Sequence, residues 1–407
     1  PLRGEIVDEV LKANKRTAVP KGSNLYNTLR TPLFLYLFLK LRPNDNPDTT
    51  LTEQGLYNRL WIQVINGEAE VNSDRIEHRR LLQLLDLITG RMYENQSLTI
   101  STINIDSFYA HELEYLLHEE IVIKVSEERI QFFHQSLFDY VYARRFVERG
   151  DNLLDAIKDR HQGLFIRALV KSILTFMRET SMQEYIDSIR SILFERNQNE
   201  TDIYRFHLKM LVLSMMGYTT NLKPAEIKFV REELPVNAHF LELFIKGIRS
   251  KEWFIAVQDI VDHSAGWKGM SESDCLLMLG MCPQLIHIEQ YIVLSYFDKY
   301  LTDDLSSKVR NGVVDTLNFF NPEKENVSLV QRLYNRIITE DGDTSLINLL
   351  SNVSELDPDF VFKNLRRIVS YGIKSNKYNG RITDISLHHG VEHIYDKLYK
   401  RYSDKAL

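Results

Sequence analysis

Apolar residues recur at helical spacing along most of the chain, from "EIVDEVLKAN" near its start to "GVEHIYDKLYKRY" near its end. A spacing of three to four residues places such positions on one face of an α-helix. Strand-like alternation is confined to short runs before residue 135, such as "IVIKV" and "RIQFF". The pattern therefore predicts a mainly α protein with one small β element.

The first 70 residues are predicted to form a small helical bundle. Thr31 is suited to be an N-cap and Pro32 to be the first helical residue, where its missing N–H costs nothing. The next run, "PLFLYLFLKL", is apolar throughout and predicts a helix buried on all sides. In "TLTEQGLYNRLWIQVI", Thr50 and Glu53 have the spacing of a capping box ahead of another helix.

Residues 71–150 show a different order of elements. A helix, a short strand, a second helix, a hairpin and a final helix are predicted in turn, on the segments "DRIEHRRLLQLLDLITGRMYEN", "SLTIS", "SFYAHELEYLLHE", "IVIKVSEERIQFF" and "HQSLFDYVYARRFVERG". This is the order of a winged-helix domain with an added C-terminal helix. We predict a winged-helix domain over these residues.

Residues 151–407 carry one amphipathic helix after another, and no strand pattern is found there. Gly, Pro, Asn, Asp or Ser marks the turns between the helices. Paired helices with short connections are typical of α-solenoids of the HEAT or TPR type. Because the helices do not recur at a constant number of residues, we predict irregular helical repeats and leave the repeat family open.

Composition narrows the class of protein. The 407 residues are 44% hydrophobic and carry a formal net charge of −6, so no bulk attraction to nucleic acid or anionic lipid is expected. Two cysteines favour a reducing, cytoplasmic location over a disulfide framework. The longest apolar run is shorter than the roughly 20 residues of a membrane helix. The opening "PLRGEIVDEV" lacks a methionine, and we expect a fragment of a longer protein.

Motifs for catalysis are missing from the sequence. It contains no GxxxxGK[ST] phosphate loop and no GxGxxG, so this chain is not expected to be an enzyme by itself. "LLQLLD", ending at Asp86, resembles the acid-bearing strand of an ATPase, but its helical spacing favours a core helix. His389 and His393 lie one helical turn apart without a clear third metal ligand. Cys275 and Cys282 are interpreted as small core residues.

A winged helix raises the possibility of DNA binding, which the charge pattern disfavours. No lysine or arginine occurs between Arg91 and Lys124. The acidic residues of that stretch are Glu94, Asp106, Glu112, Glu114, Glu119 and Glu120. Such a surface would repel a phosphate backbone, which disfavours nucleic acid as a partner and makes a transcription regulator the least favoured interpretation.

Three stretches together resemble a known family. "LRTPLFLYLFLKL", "LTEQGLYNRLWIQVI" and "FFHQSLFDYVYARRF" succeed one another as do the helical-domain and winged-helix motifs of STAND-type signal-transduction NTPases, the NACHT and NB-ARC-like group. The resemblance covers roughly residues 1 to 150. The chain departs from the family in lacking the P-loop domain, which would have to lie upstream.

The resemblance implies a nucleotide-dependent switch. In that family ADP or ATP with Mg lies between the P-loop domain and the helical and winged-helix domains. The family's winged-helix histidine contacts the β-phosphate of ADP, a role that falls on His134. The proline opening the helical domain packs near the adenine, which implies that role for Pro32, with Thr31 beside it. The parent protein would then be an ATPase.

The resemblance also implies partners. The helical repeats would bind a protein trigger or effector, and activation would lead to self-association of the protein. No membrane is expected as a partner. In a bacterium, the implied role is defence signalling against phage or regulation of a fused effector.

Several alternatives remain open from the residues themselves. His134 is also interpretable as a satisfied core histidine that caps the helix of residues 135–149, and Pro32 as a plain first-turn proline. Arg144 and Arg145 fit either an anion or partner contact or a solvated helix face. The competing function is a non-enzymatic helical-repeat scaffold with an embedded winged helix that binds protein partners and no nucleotide.

Overall fold

The structure of the chain is a computed structural model. It describes residues 1–42, 48–66, 77–159, 162–163, 166–261, 272–286, 289–301, 305–339, 343–374 and 385–401. Within a few helices the side chains fall outside the description as well, and these include His389.

Helices make up most of the described chain, which confirms the predicted mainly α class. The first seven are α1 (Gly4–Ala13), α2 (Asn24–Leu29), α3 (Pro32–Lys40), α4 (Glu53–Leu60), α5 (His78–Glu94), α6 (Ala110–His118) and α7 (Gln135–Glu148). The next seven are α8 (Leu153–Asp159), α9 (Ile166–Thr180), α10 (Met182–Phe194), α11 (Phe206–Tyr218), α12 (Pro224–Glu232), α13 (Ala238–Gly247) and α14 (Lys251–Val261). The last eight are α15 (Glu272–Leu279), α16 (Cys282–Leu285), α17 (Gln290–Tyr300), α18 (Ser307–Asn318), α19 (Val327–Ile337), α20 (Ile347–Val353), α21 (Pro358–Lys374) and α22 (Ile385–Arg401).

A three-stranded antiparallel sheet lies between α5 and α7. Its strands are β1 (Ile100–Ser101), β2 (Val122–Ser126) and β3 (Arg129–Phe132), in the spatial order β1, β3, β2. The hairpin of β2 and β3 has Val122 opposite Phe132, both buried, as the alternating pattern predicts. Helix, strand, helix, hairpin and helix thus occur in the predicted order. The name winged helix remains our interpretation of that order.

Helix α3 departs from the prediction in one respect. Phe34, Leu35, Leu37 and Phe38 are buried, but Tyr36 is 41% exposed. The helix is therefore not covered on all sides. The Tyr36 hydroxyl instead donates a hydrogen bond to the carboxylate of Glu120, which lies just after α6.

Helix α4 ends in a π-helical turn over Trp61–Ile65. The N–H of Asn66 bonds to the carbonyl of Trp61, five residues back. The Tyr115 hydroxyl donates to the Val64 carbonyl at 2.7 Å, and His78 Nδ1 lies 2.9 Å from the Ile65 carbonyl. The wide turn thus presents two carbonyl groups to side chains of later elements.

The chain separates into two compact units, Pro1–Leu208 and Lys209–Leu407. The boundary falls inside α11. The predicted divisions at residues 70 and 150 remain predictions, and the first of them falls among residues 67–76, which lie outside the description.

Several helices of the second unit pack against the next helix but one, whereas α15 packs against α18, across α16 and α17. Helix α13 contacts α15, α17 contacts α19, α18 contacts α20, and α20 contacts α22. This alternation is typical of stacked helix pairs, in which equivalent helices of successive pairs are neighbours. Helical-repeat character is therefore visible, as the sequence predicts. Among the described helices, none combines the length and apolar character needed to cross a membrane.

Candidate functional site

His134 lies at the junction between β3 and α7 and is the N-cap residue of that helix. Its backbone is extended, and Nδ1 accepts a hydrogen bond from the Ser136 N–H at 3.1 Å. Nδ1 is also 2.6 Å from the Ser136 hydroxyl oxygen. The residue is exposed. The capping interpretation is therefore confirmed, whereas its placement in the core is wrong.

The hydrogen bonds of His134 determine which ring nitrogen carries the proton. A backbone N–H can only donate, so Nδ1 must be an acceptor and the hydrogen of the neutral ring must be on Nε2. No described residue forms a hydrogen bond with Nε2. The exposed edge of the imidazole therefore offers one N–H donor at the N-terminus of a 14-residue helix.

A tyrosine connects this cap to the helical bundle. The Tyr57 hydroxyl of α4 lies 2.5 Å from the Ser136 hydroxyl. Because Nδ1 accepts from Ser136, the consistent direction is Tyr57 to Ser136 to His134. Burial raises the pKa of Tyr57 to about 12, so its phenol stays protonated and able to donate.

Aromatic contacts hold Tyr57 in place. Its ring stacks on Tyr140 of α7 with centroids 5.1 Å apart and meets Phe34 of α3 edge-on at 5.6 Å. Such pairs stabilise beyond their buried area. Helices α3, α4 and α7 thus meet at the side chain that donates toward the cap.

Thr31 and Pro32 open α3 as predicted. Thr31 is the N-cap residue with extended backbone, but its side chain forms no capping hydrogen bond, and Pro32 is the first helical residue. Both are exposed. No described contact joins either residue to His134. The two regions are linked instead by the ring contact of Tyr36 with Phe133, whose centroids are 5.9 Å apart.

A cavity of about 320 Å³ opens beside the first two turns of α7. Helices α5, α7 and α9 and the segment after α5 supply its walls. The residues lining it on α7 are Gln135, Phe138, Asp139 and Tyr142. The cavity was not predictable from the sequence, because its walls come from segments about 40 residues apart. The one local signal was an aspartate between aromatic residues in "LFDYVY".

Asp139 is a titratable group of this cavity whose pKa is displaced. Burial raises the pKa of its carboxyl to about 6, against an ordinary value of 3.8, although the charge of Lys171 acts in the opposite direction. A displaced carboxyl in a cleft is a frequent property of binding and catalytic sites.

The two arginines of α7 are engaged within the fold. Arg145 forms a bidentate ion pair with Asp86 of α5, at 2.8 and 3.0 Å. The Arg144 guanidinium lies 4.6 Å from the ring centre of Trp61 and bonds to Glu148. Their side chains are only 14% and 11% exposed, for Arg144 and Arg145 respectively. The interpretation of Arg144 and Arg145 as part of a solvated helix face is therefore wrong. Asp86 lies in a helix, as its spacing predicts, and its carboxylate forms an ion pair with Arg145.

Helix α6, the second helix of the predicted winged-helix domain, is acidic but not uniformly exposed. Glu112 is buried, so it does not contribute to the acidic surface expected of this stretch. Glu120 forms an ion pair with Lys40 of α3, and the Lys40 ammonium also donates to the Glu119 carbonyl at 3.1 Å. Part of this acidic segment is thus occupied by the helical bundle.

The remaining candidate groups of the sequence carry no site that the structure describes. Cys275 and Cys282 are buried, and burial raises the pKa of the Cys282 thiol, which confirms a core position. Within the described residues, no cluster of three or more metal-ligating side chains occurs. The predicted pair with His393 cannot be placed, because the side chain of His389 lies outside the description.

Comparison with known proteins leaves the family open. No family model matches the chain. No curated protein matches it either.

Proposed function

We propose that this chain is the regulatory and sensor region of a STAND-type NTPase. Residues 1 to 150 close over ADP or ATP held by a separate P-loop domain, and the helices after residue 150 bind a protein trigger. The observation that carries the proposal is the exposed Nε2–H of His134 at the start of α7.

This position suits contact with a phosphate. The N-terminus of a helix carries a partial positive charge, which favours anions. A neutral imidazole with its hydrogen on Nε2 adds one directed donor. The capping bond and the contact with nucleotide therefore use different nitrogens, and one histidine can perform both.

The link through Tyr57 supplies a means of switching. Donation from Tyr57 through Ser136 to Nδ1 polarises the ring and makes Nε2–H a better donor. Tyr57 belongs to α4, whereas His134 belongs to the β3–α7 junction. A rearrangement that moves α4 away from α7 would weaken the donor and release ADP.

The sensor role is assigned to the helices after residue 150. A trigger protein must prefer the open state by about 5.5 kcal/mol to invert a 99:1 population. ATP with Mg would then replace ADP, and the open form would self-associate, as in antiphage defence or related signalling. Thr31 and Pro32 would lie at the base side of the nucleotide in this arrangement.

Nucleotide retention in the complete protein tests the proposal. The purified protein is denatured, and released ADP and ATP are quantified by ion-exchange chromatography. We expect His134→Ala to lower the bound ADP about tenfold, since hydrogen bonds to charged groups contribute about 1.5–3 kcal/mol.

Two further variants separate the donor from the cap. His134→Asn retains an N-cap side chain but removes the imidazole donor, so it should lose ADP while keeping the stability of α7. His118→Ala removes an exposed histidine of α6 and should leave ADP retention unchanged. Equal ADP occupancy in all three variants would remove His134 from the nucleotide site.

The alternative is a helical-repeat scaffold without nucleotide, which the stacked helices of the second unit favour. Complete protein that contains no nucleotide and retains none added as ADP or ATP would support this alternative.

A further inference from the structure

We infer that the cavity beside α7 binds a small organic ammonium ion with an apolar body. The site is separate from the proposed nucleotide contact, because the lining includes Asp139 and its aromatic neighbours but not His134. The inference does not depend on the proposed NTPase function.

Size and shape fit such a ligand. A volume of about 320 Å³ lies within the range of small-molecule sites, roughly 300–1,000 Å³. The lining is largely apolar, with Met92, Ile166 and Leu169 buried at its walls. An aliphatic or aromatic body of modest size would displace water from these surfaces.

Three aromatic side chains lie together at the cavity. Tyr93 and Tyr142 have ring centroids 4.8 Å apart, and Phe138 lies 6.2 Å from Tyr142. All three line the cavity. The faces of aromatic rings attract cations, and the attraction grows where water is excluded. The aromatic wall therefore favours an ammonium group over a neutral or anionic one.

Among the described lining residues, the charged groups have one sign. Asp139 and Glu94 are acidic, and no lysine or arginine occurs among the lining residues that the structure describes. Lys171 on α9 influences the Asp139 carboxyl but is exposed and does not line the cavity. A ligand with a positive charge would complement the two acids.

Burial of Asp139 is an independent reason to expect a cationic ligand. Because its pKa is raised to about 6 by burial, the ionised carboxylate is poorly solvated at neutral pH. No hydrogen bond to its carboxylate is seen among the described residues. A group that weakens the folded state is commonly retained where it serves binding or catalysis. An ammonium ligand would supply a hydrogen-bond donor for this carboxylate.

Titration of the purified chain with three six-carbon probes tests the inference. Hexylammonium, hexanol and hexanoate carry similar apolar chains and differ in the charge of the end group. We expect binding of hexylammonium at millimolar concentrations by isothermal titration calorimetry, weaker binding of hexanol and no binding of hexanoate. Equal binding of all three would reduce the cavity to an apolar pocket and overturn the assignment.

Two variants locate the ligand. Asp139→Asn should weaken hexylammonium binding about tenfold, because it removes a partly buried partner charge. Ala168→Phe places a ring at an exposed lining position of α9 and should block all three probes. Asp315→Asn, an exposed position of α18, is the matched control and should bind as the unaltered chain does. Undiminished hexylammonium binding in either of the first two variants would overturn the proposal.

Discussion

Two side chains in the first turns of α7 have opposite effects on the fold. His134 satisfies a backbone N–H that the helix leaves without an internal partner, which stabilises the helix. Asp139, one turn further on, is a carboxylate whose ionised form is penalised by burial. The first can be recognised from the sequence as a residue preceding an amphipathic run, whereas the second cannot.

Stability should depend on pH through Asp139. Its folded pKa of about 6 exceeds the ordinary 3.8, so its favourable contribution is complete below about pH 3.8 and is lost as pH rises through 6. Asp139→Asn should therefore raise the free energy of unfolding at pH 8 by about 1–2 kcal/mol, after allowance for solvent screening.

Urea unfolding at two pH values measures this difference. The gain from Asp139→Asn seen at pH 8 should shrink toward zero near pH 4, where the folded state of the unaltered chain is protonated and the burial penalty is no longer felt. A gain that stays constant with pH would mean that the carboxylate is not destabilised by burial.

The environment of Arg144 shows what sequence reasoning could not supply at this scale. Its aromatic neighbours are Trp61, directly after α4, and Phe176 of α9, some 80 and 30 residues away along the chain. Arginine on a helix surface is indistinguishable in sequence from arginine covered by distant aromatic rings. The pairing of Arg145 with Asp86 was hidden for the same reason.

At the scale of elements, the start of α4 shows how local rules compete. Thr50 and Glu53 have capping-box spacing, yet the helix begins two residues later than Thr50 implies. Asp48 Oδ1 accepts from both the N–H and the hydroxyl of Thr50, which holds that residue in a turn. Thr52 is the N-cap instead, and its hydroxyl accepts from the Gly55 N–H at 3.2 Å.

Paired substitutions check this assignment. Thr52→Ala should lower the free energy of unfolding by about 1 kcal/mol through loss of the cap. Thr50→Ala, at an exposed position in the preceding turn, should lower it by less than about 0.5 kcal/mol. Thermal unfolding monitored by circular dichroism compares the two, and the reverse order of losses would restore Thr50 as the cap.

At the scale of the molecule, the sequence predicts where helices occur but not which helices pack against each other. Periodicity identified most of the described helices, because each must bury one apolar face, but short ones such as α8, α16 and α20 were not recognised. The unit boundary at residue 208 lies inside α11, where no proline, glycine or polar linker marks it. It depends on which helices touch, and helical spacing carries no information on that.

One close helix contact in the second unit supports a prediction at this scale. A Cβ on Gly217 of α11 would lie 2.7 Å from the carbonyl oxygen of Gly247 in α13, and the Gly217 carbonyl accepts from the Arg249 N–H at 2.9 Å. Gly217→Ala should therefore destabilise this unit by about 1–3 kcal/mol through overpacking.

Hydrogen exchange measured by mass spectrometry locates that effect. Peptides from α13 and α14 should exchange faster in Gly217→Ala, whereas peptides from α7 should keep their protection. Gly247→Ala is the matched control, since nothing lies within 4 Å of its added Cβ. Equal exchange in both variants would show that the contact between α11 and α13 accommodates the added methyl group without loss of stability.

The π-helical turn at Trp61–Ile65 constrains chain length as well as residue type. Such a turn holds one residue more than an α-helical turn. Deletion of one residue from the α-helical part of α4, ahead of this turn, would rotate the turn about the helix axis by about 100°. The carbonyls of Val64 and Ile65 would then turn away from Tyr115 and His78. A change of one residue, harmless in a surface loop, would here detach the end of α4 from two later elements.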